Sequence, residues 1–189
     1  MYKTYLFIIS LICFFSCTND NSKSSLLLDS KMEESINSLI NDMTIEEKAG
    51  QTCQITLDAI LKKDSLGVLL EPHQIDQEKL NQAILEYNIG SVLNVSNHTF
   101  SLEKWHSIIE NIQITALKTN HRVPIIYGVD AIHGATYIQN STLFPQEIGL
   151  AATWDTSHAI VMGEITAYET RASGVPWNFS PVLDLGRTP

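Results

Sequence analysis

The sequence predicts an α/β fold built on a parallel sheet, and three observations carry that expectation. Strand-like and helix-like segments alternate from residue 90 onward, the pattern of strands joined by helical crossovers. Pro124-Ile-Ile-Tyr-Gly-Val-Asp130 is an almost unbroken apolar run, as expected of a parallel strand covered on both faces. A closed barrel of eight strands takes at least about 200 residues. This chain has 189 residues and shows three clear strands, so it is expected to form only part of a (β/α)8 barrel, incomplete in this chain.

Each element has its own local signal. Ser30-x-x-Glu33 has the form of a capping box, followed by Met32, Ile36, Leu39, Ile40 and Met43 at helical spacing. Thr44-x-x-Glu47 is a second box, which starts a helix at about Ile45 that runs through Cys53; Cys53 itself reads as a small buried residue on that helix. Residues 57–89 read as irregular connection, closed by a short helix over 78–87. Residues 90–95 form a strand. Ser101 caps a helix whose apolar face is Trp105, Ile108, Ile109, Ile112 and Ala116. After the strand ending at Asp130 comes a long loop, 131–153. Asp155 or Thr156 then caps a helix carrying Ile160, Val161, Ile165, Tyr168 and Ala172, and residues 175–184 form the last strand.

The first residues read as an address. Residues 1–17 hold one Lys, the apolar run Leu6-Phe-Ile-Ile-Ser-Leu-Ile-Cys-Phe-Phe15, and then Ser16-Cys17. That run is too short for a membrane span, which takes about 20 apolar residues. Phe14-Phe-Ser-Cys17 resembles a bacterial lipoprotein box, with Cys17 as the lipidated residue; the competing reading is a plain cleaved signal. The organisation expected is therefore a signal over 1–17, a polar tether over 18–30 and the partial barrel over 31–189. Export, with anchoring in the periplasm or at the outer membrane, follows from the lipoprotein reading. Composition narrows the rest: 44% hydrophobic and 17% charged residues exclude a disordered chain. A net charge of −9, with 12 Lys and Arg against 21 Asp and Glu, argues against a nucleic-acid partner.

Asp130 ends its strand, where a barrel of this type builds its site, and a carboxylate there can accept hydrogen bonds from sugar hydroxyls. It can equally brace the turn that ends the strand. Asp184 ends the last strand in the same way and reads as a structural partner of Arg187 or Arg171. His133 reads as a loop brace, beside a Gly134 suited to an unusual backbone. Trp154 could stack on a sugar, but a large apolar side chain belongs more often to a core. The histidines show no ligand spacing, so no metal is expected. Neither a nucleophile elbow nor a Gly-rich phosphate loop is present, and no cofactor is expected.

Several stretches together resemble glycoside hydrolase family 3. They are Met43-Thr-Ile-Glu-Glu-Lys-Ala-Gly-Gln51, Gly90-Ser-Val-Leu-Asn94, Arg122-Val-Pro-Ile-Ile-Tyr-Gly-Val-Asp-Ala-Ile-His-Gly134, Thr142-Leu-Phe-Pro-Gln146, Gly149-Leu-Ala-Ala-Thr-Trp-Asp155 and Trp177-Asn-Phe-Ser-Pro-Val-Leu-Asp184. The resemblance implies a β-glucosidase-like exo-glycosidase that retains configuration through a glycosyl-enzyme, using two carboxylates roughly 5–5.5 Å apart. It gives Asp130 the task of holding hydroxyls of the terminal sugar of a β-glucoside or glucan. It places the nucleophile and the acid/base beyond Pro189, so no catalytic residue is expected in this chain and the chain alone is expected to be inactive. Thr188 and Ala49 depart mildly from the family pattern. Two other readings stand beside this one: a sugar-binding lipoprotein without catalysis, using Asp130 and Trp154, and a non-functional gene remnant.

Overall fold

The structure is a computed structural model that describes residues 30–183. The expectations for Cys17, the tether, Asp184 and Arg187 lie outside the described residues. Two units are distinct. The first contributes one described element, helix α1 (Ser30–Asp42), with Met32, Ile36 and Ile40 exposed. Ser30 is already helical there.

The second unit begins at Met43 and contains the sheet. Helix α2 (Ile45–Gln51) starts at the capping box read from the sequence. The Glu47 N–H donates to Thr44 Oγ1 at 3.1 Å, and the Thr44 N–H donates to Glu47 Oε2 at 2.9 Å. His121 Nε2 lies 3.2 Å from the same carboxylate, and Asn120 donates to its other oxygen at 3.4 Å. The helix start is thereby tied to the loop before the third strand. The Thr44 N–H holds the Glu47 carboxyl below the usual carboxylate range; partial burial opposes this, and His121 and Asn120 reinforce it. A depressed folded-state value contributes stability above the unfolded value and loses it as pH falls through the folded one. Glu47→Gln is therefore expected to lower the thermal midpoint at neutral pH. The deficit should shrink towards zero below about pH 4, the range in which an unperturbed Glu itself protonates. A midpoint difference that stays constant from neutral pH into acid would count against this.

Strand β1 (Gln54–Thr56) follows, leading into a 3-10 turn over Leu57–Ile60. Cys53 precedes β1 and is exposed, so it is neither helical nor buried. The helix ends two residues earlier, capped at Thr52, and Gly50 in its last turn packs against the backbone of Tyr87 and Asn88. Asp76 caps helix α3 (Gln77–Asn81), which widens into a π turn over Gln82–Glu86. Strand β2 (Ser91–Leu93) comes next. Helix α4 (Leu102–Ala116) is capped by Ser101, as expected, and buries Trp105, Ile108 and Ile112. Strand β3 (Ile126–Val129), a short helix α5 (Glu147–Ala151), helix α6 (Thr156–Ala172) and strand β4 (Trp177–Asn178) complete the unit. Asp155 caps α6, its carboxylate accepting the Ser157 N–H at 2.9 Å.

All the strand pairs are parallel and the order is β1-β2-β3-β4, the sequential order of a barrel wall. In register, Ile55, Val92 and Tyr127 lie side by side on the helix-covered face, with Trp105 of α4 set edge-on to Tyr127. The opposite face carries Ile126 and Trp177, 50% and 42% exposed. So β3 is not covered on both faces, as its apolar run predicts. The inner face of a barrel is filled only where strands from all around the ring meet, and four strands do not bring it to closure.

Two further expectations change. Helix α6 buries Met162, Thr166 and Thr170, whereas Ile160, Val161 and Tyr168 are exposed. The buried stripe runs at i, i+4, i+8 from Met162 through two threonines, next to the more apolar stripe that the sequence favours. The last strand is two residues long rather than ten. Asn178 Oδ1 accepts the Ser180 N–H at 3.2 Å, a local bond that competes with the sheet ladder, and Pro181 then has no N–H to give. Among the described residues, no helix is long and apolar enough to cross a membrane.

Candidate functional site

Asp130 follows the last residue of β3, half-buried at the C-terminal rim of the sheet. Its position is set by Asn94, one residue past β2. The Asp130 N–H donates to Asn94 Oδ1 at 2.9 Å, and Asn94 Nδ2 donates to Asp130 Oδ2 at 2.6 Å. The two bonds fix the amide orientation, since only the Oδ1 end can accept from a backbone N–H. Asn94 is itself held on its main chain. Its N–H donates to Gly128 O at 2.9 Å, and its carbonyl accepts the Tyr127 hydroxyl at 2.7 Å. Its φ of +45° is one that Asn tolerates better than most residues. The result is a carboxylate with one oxygen tied down, carried on two strand ends.

The same lacing repeats along the rim. Asp58, just past β1, accepts the Ser96 N–H at 3.2 Å and the Ser96 hydroxyl, joining the ends of β1 and β2. Asn178 Oδ1 accepts the Ala131 N–H at 3.1 Å, joining the ends of β4 and β3. Each strand end thus offers a carboxylate or amide that crosses to its neighbour. Asp58 has no signal in the linear sequence beyond being polar, and the bonds that carry Asn94 and Asn178 across to neighbouring strands do not show in the stretches that contain them.

Beside Asn94 lies an open hollow of about 550 Å³ lined by Thr56, Asn94, Ser96, His98, Thr136 and Tyr137. Its walls are rich in hydroxyls and amides, and the volume suits a small polar ligand. Burial raises the Tyr137 phenol above its ordinary value, and the nearby Asp130 charge adds to the shift. Tyr137 therefore stays protonated at neutral pH and can donate. Burial likewise keeps Tyr127 protonated, with the Asp58 charge second.

The other sequence candidates are placed less centrally. His133 is half-buried, and its carbonyl accepts the Phe144 N–H at 2.8 Å, so the bracing recorded there is by main chain. Gly134 has φ +108°, and a Cβ there would stand 2.1 Å from Thr142 O, which confirms the need for glycine. Trp154 is 95% exposed and so is not core. It stands at the edge of a larger apolar hollow of about 780 Å³ between α5, α6 and the end of β4.

Known proteins resemble the chain in sequence and fold. Residues 44–189 match the model of the glycosyl hydrolase family 3 N-terminal domain. The chain belongs to glycosyl hydrolase family 3. It is 34% identical over 163 residues to the lysosomal beta glucosidase of Dictyostelium discoideum, an alignment covering 82% of this chain and 19% of that one. Among solved structures, the beta-glucosidase of Listeria innocua in complex with isofagomine has a TM-score of 0.56 and 29% identity, covering 83% of this chain and 19% of that chain. A family 3 beta-N-acetylglucosaminidase from Paenibacillus sp. str. FPU-7 shares the fold, with a TM-score of 0.57 at 20% identity, over 76% of this chain and 25% of that chain. This family 3 chain thus spans about a fifth of the length of the two beta-glucosidases. The parallel sheet with its helices is the beginning of the family's barrel, as the sequence predicts.

Proposed function

We propose that the chain is the N-terminal part of a retaining exo-glycosidase that removes terminal β-glucosyl residues from oligosaccharides or glucans. The observation that carries this reading is Asp130, held at the barrel rim by Asn94 in a family 3 chain. In this reading Asp130 accepts hydrogen bonds from hydroxyls of the terminal sugar. The nucleophile and the acid/base are supplied by carboxylates outside these 189 residues, and the chain alone turns nothing over. The likeness to beta-glucosidases supports a glucoside rather than a hexosaminide as substrate.

The test is hydrolysis of nitrophenyl β-glucoside, β-N-acetylglucosaminide and β-xyloside by the full gene product, with the product anomer followed by NMR. Preferred cleavage of the glucoside with β-glucose released first is expected. An inverted product, or preference for the hexosaminide, would overturn the reading. The 189-residue polypeptide assayed alone should match a mock preparation.

The lipid anchor on Cys17 belongs to the same proposal. A diacylated Cys holds a protein at a membrane because each buried CH₂ contributes about 0.8 kcal/mol. It would place the enzyme in the periplasm or at the outer membrane, facing exported glucans. Metabolic labelling with a clickable fatty acid should mark the wild type and not Cys17→Ala; an unlabelled wild type ends the idea.

A further inference from the structure

Beside the polar hollow next to Asn94, Glu71, His73 and His98 converge although their spacing in the sequence is unremarkable. One ligand atom from each lies within 4.8 Å of the others. Glu71 Oε1 is 3.0 Å from His73 Nδ1 and 3.6 Å from His98 Nδ1. The two imidazoles stack with centroids 4.3 Å apart and an interplanar angle of 21°. Phe100 packs against both rings and fixes them.

The decisive feature is His73. Its side chain is 4% exposed, and both ring nitrogens are buried with no hydrogen-bond partner. Leaving buried polar atoms unpaired is unfavourable. Glu71 Oε1 comes close to Nδ1 yet makes no hydrogen bond with it. The three ligand atoms are close enough to share one ion, whose binding would turn the stacked rings so that both planes contain it. Ligands about 2.0–2.1 Å from a tetrahedral ion stand roughly 3.3 Å from each other, between the two separations seen here.

We propose that Glu71, His73 and His98 form a binding site for a divalent transition-metal ion of the Zn²⁺ type. Two imidazoles and one carboxylate are a donor set for such ions rather than for Mg²⁺ or Ca²⁺, which prefer oxygen. Glu71 is 61% exposed, so the ion enters from solvent and keeps at least one position for water. The site pins the connection between β1 and α3 to the loop after β2. That connection is a small hairpin, bridged at Leu61 with Ile75 and at Lys63 with Leu69. His98 also lines the polar hollow beside Asn94, so the ion orders one wall of that hollow without touching Asp130.

The test uses full-length protein without a histidine tag, stripped with a chelator and titrated with Zn²⁺ by calorimetry and with Co²⁺ by visible absorption. One ion per chain, a Kd of micromolar order or below and tetrahedral Co²⁺ bands are expected, with a thermal midpoint that rises on adding Zn²⁺ and falls back with EDTA. Glu71→Gln and His98→Gln alter side chains that reach solvent, so the fold is kept. Each should weaken binding more than about 100-fold, beyond the loss seen when an outer-shell partner is removed. His158→Gln, at a distant His–Asp contact, should leave binding unchanged. Absence of saturable one-to-one binding would overturn the proposal. Binding that survives in both Glu71→Gln and His98→Gln would overturn it as well.

Discussion

Asp130→Ala in the full enzyme is expected to lower kcat/KM for an aryl β-glucoside by about 10- to 100-fold for each sugar hydrogen bond lost. A bond to a charged group is worth about 1.5–3 kcal/mol, and each 1.36 kcal/mol is tenfold in rate. The thermal midpoint should stay close to wild type. The main-chain N–H of residue 130 keeps its bond to Asn94 Oδ1 in the variant, and the lost carboxylate sits half-buried where water can reach Asn94 Nδ2. That split separates the two roles left open by the position of Asp130. A sugar-binding carboxylate changes kinetics and spares stability; a brace that ends the strand does the reverse. An Asp130→Ala enzyme with unchanged kcat/KM and a depressed midpoint would remove Asp130 from the site. Asn94→Ala should act more weakly in the same direction, because it leaves the charge in place and loosens only its aim.

What the sequence revealed was mostly local. The Thr44 and Glu47 box, Ser101 and Asp155 are decided within four residues, and each caps the helix assigned to it. Strand β1 was not legible, because Gln54-Ile-Thr56 is three residues long and its identity comes from pairing with β2, 37 residues on. The rim follows the same division. Asp130 could be picked out because a carboxylate ending an apolar run is unusual by itself. Asn94 could not, since its role lies in four bonds that reach residues 127, 128 and 130. Cys53 and α6 depart from expectation for one reason: apolar character does not by itself decide burial. The neighbours that decide burial are set by sheet geometry, and α6 turns two threonines inward instead. The Glu71, His73 and His98 cluster was equally invisible to spacing, because it joins two loops that meet only through the order of β1 and β2.

Trp105→Ala should be the most damaging single change in the described domain. The indole is fully buried between Phe100 and Tyr127, edge-on to both at centroid distances of 5.3 Å and 5.4 Å. Removing a buried Trp costs about 3–5 kcal/mol in lost transfer and cavity energy. Two aromatic pairs at about 0.5–1.5 kcal/mol each push the value towards the upper end. A further loss comes from Nε1, which donates to the Tyr137 carbonyl at 2.8 Å. That bond holds the loop after β3 against α4, and Tyr137 forms a wall of the polar hollow. Urea unfolding should show a large drop in midpoint, and the variant should be cleaved sooner by protease. Trp105→Phe keeps most of the packing and loses the donor, while the Tyr137 carbonyl still accepts the Phe100 N–H at 3.0 Å, so its deficit is expected to be the smaller, about 0.5–1.5 kcal/mol for one lost hydrogen bond. Because the carbonyl belongs to Tyr137, the Phe variant should also raise KM with little change in kcat, the signature of a loosened wall rather than a lost reacting group. Equal unfolding midpoints for Trp105→Ala and wild type would mean that the core is not centred on this residue. A Phe variant as unstable as the Ala variant would put the hydrogen bond above the packing.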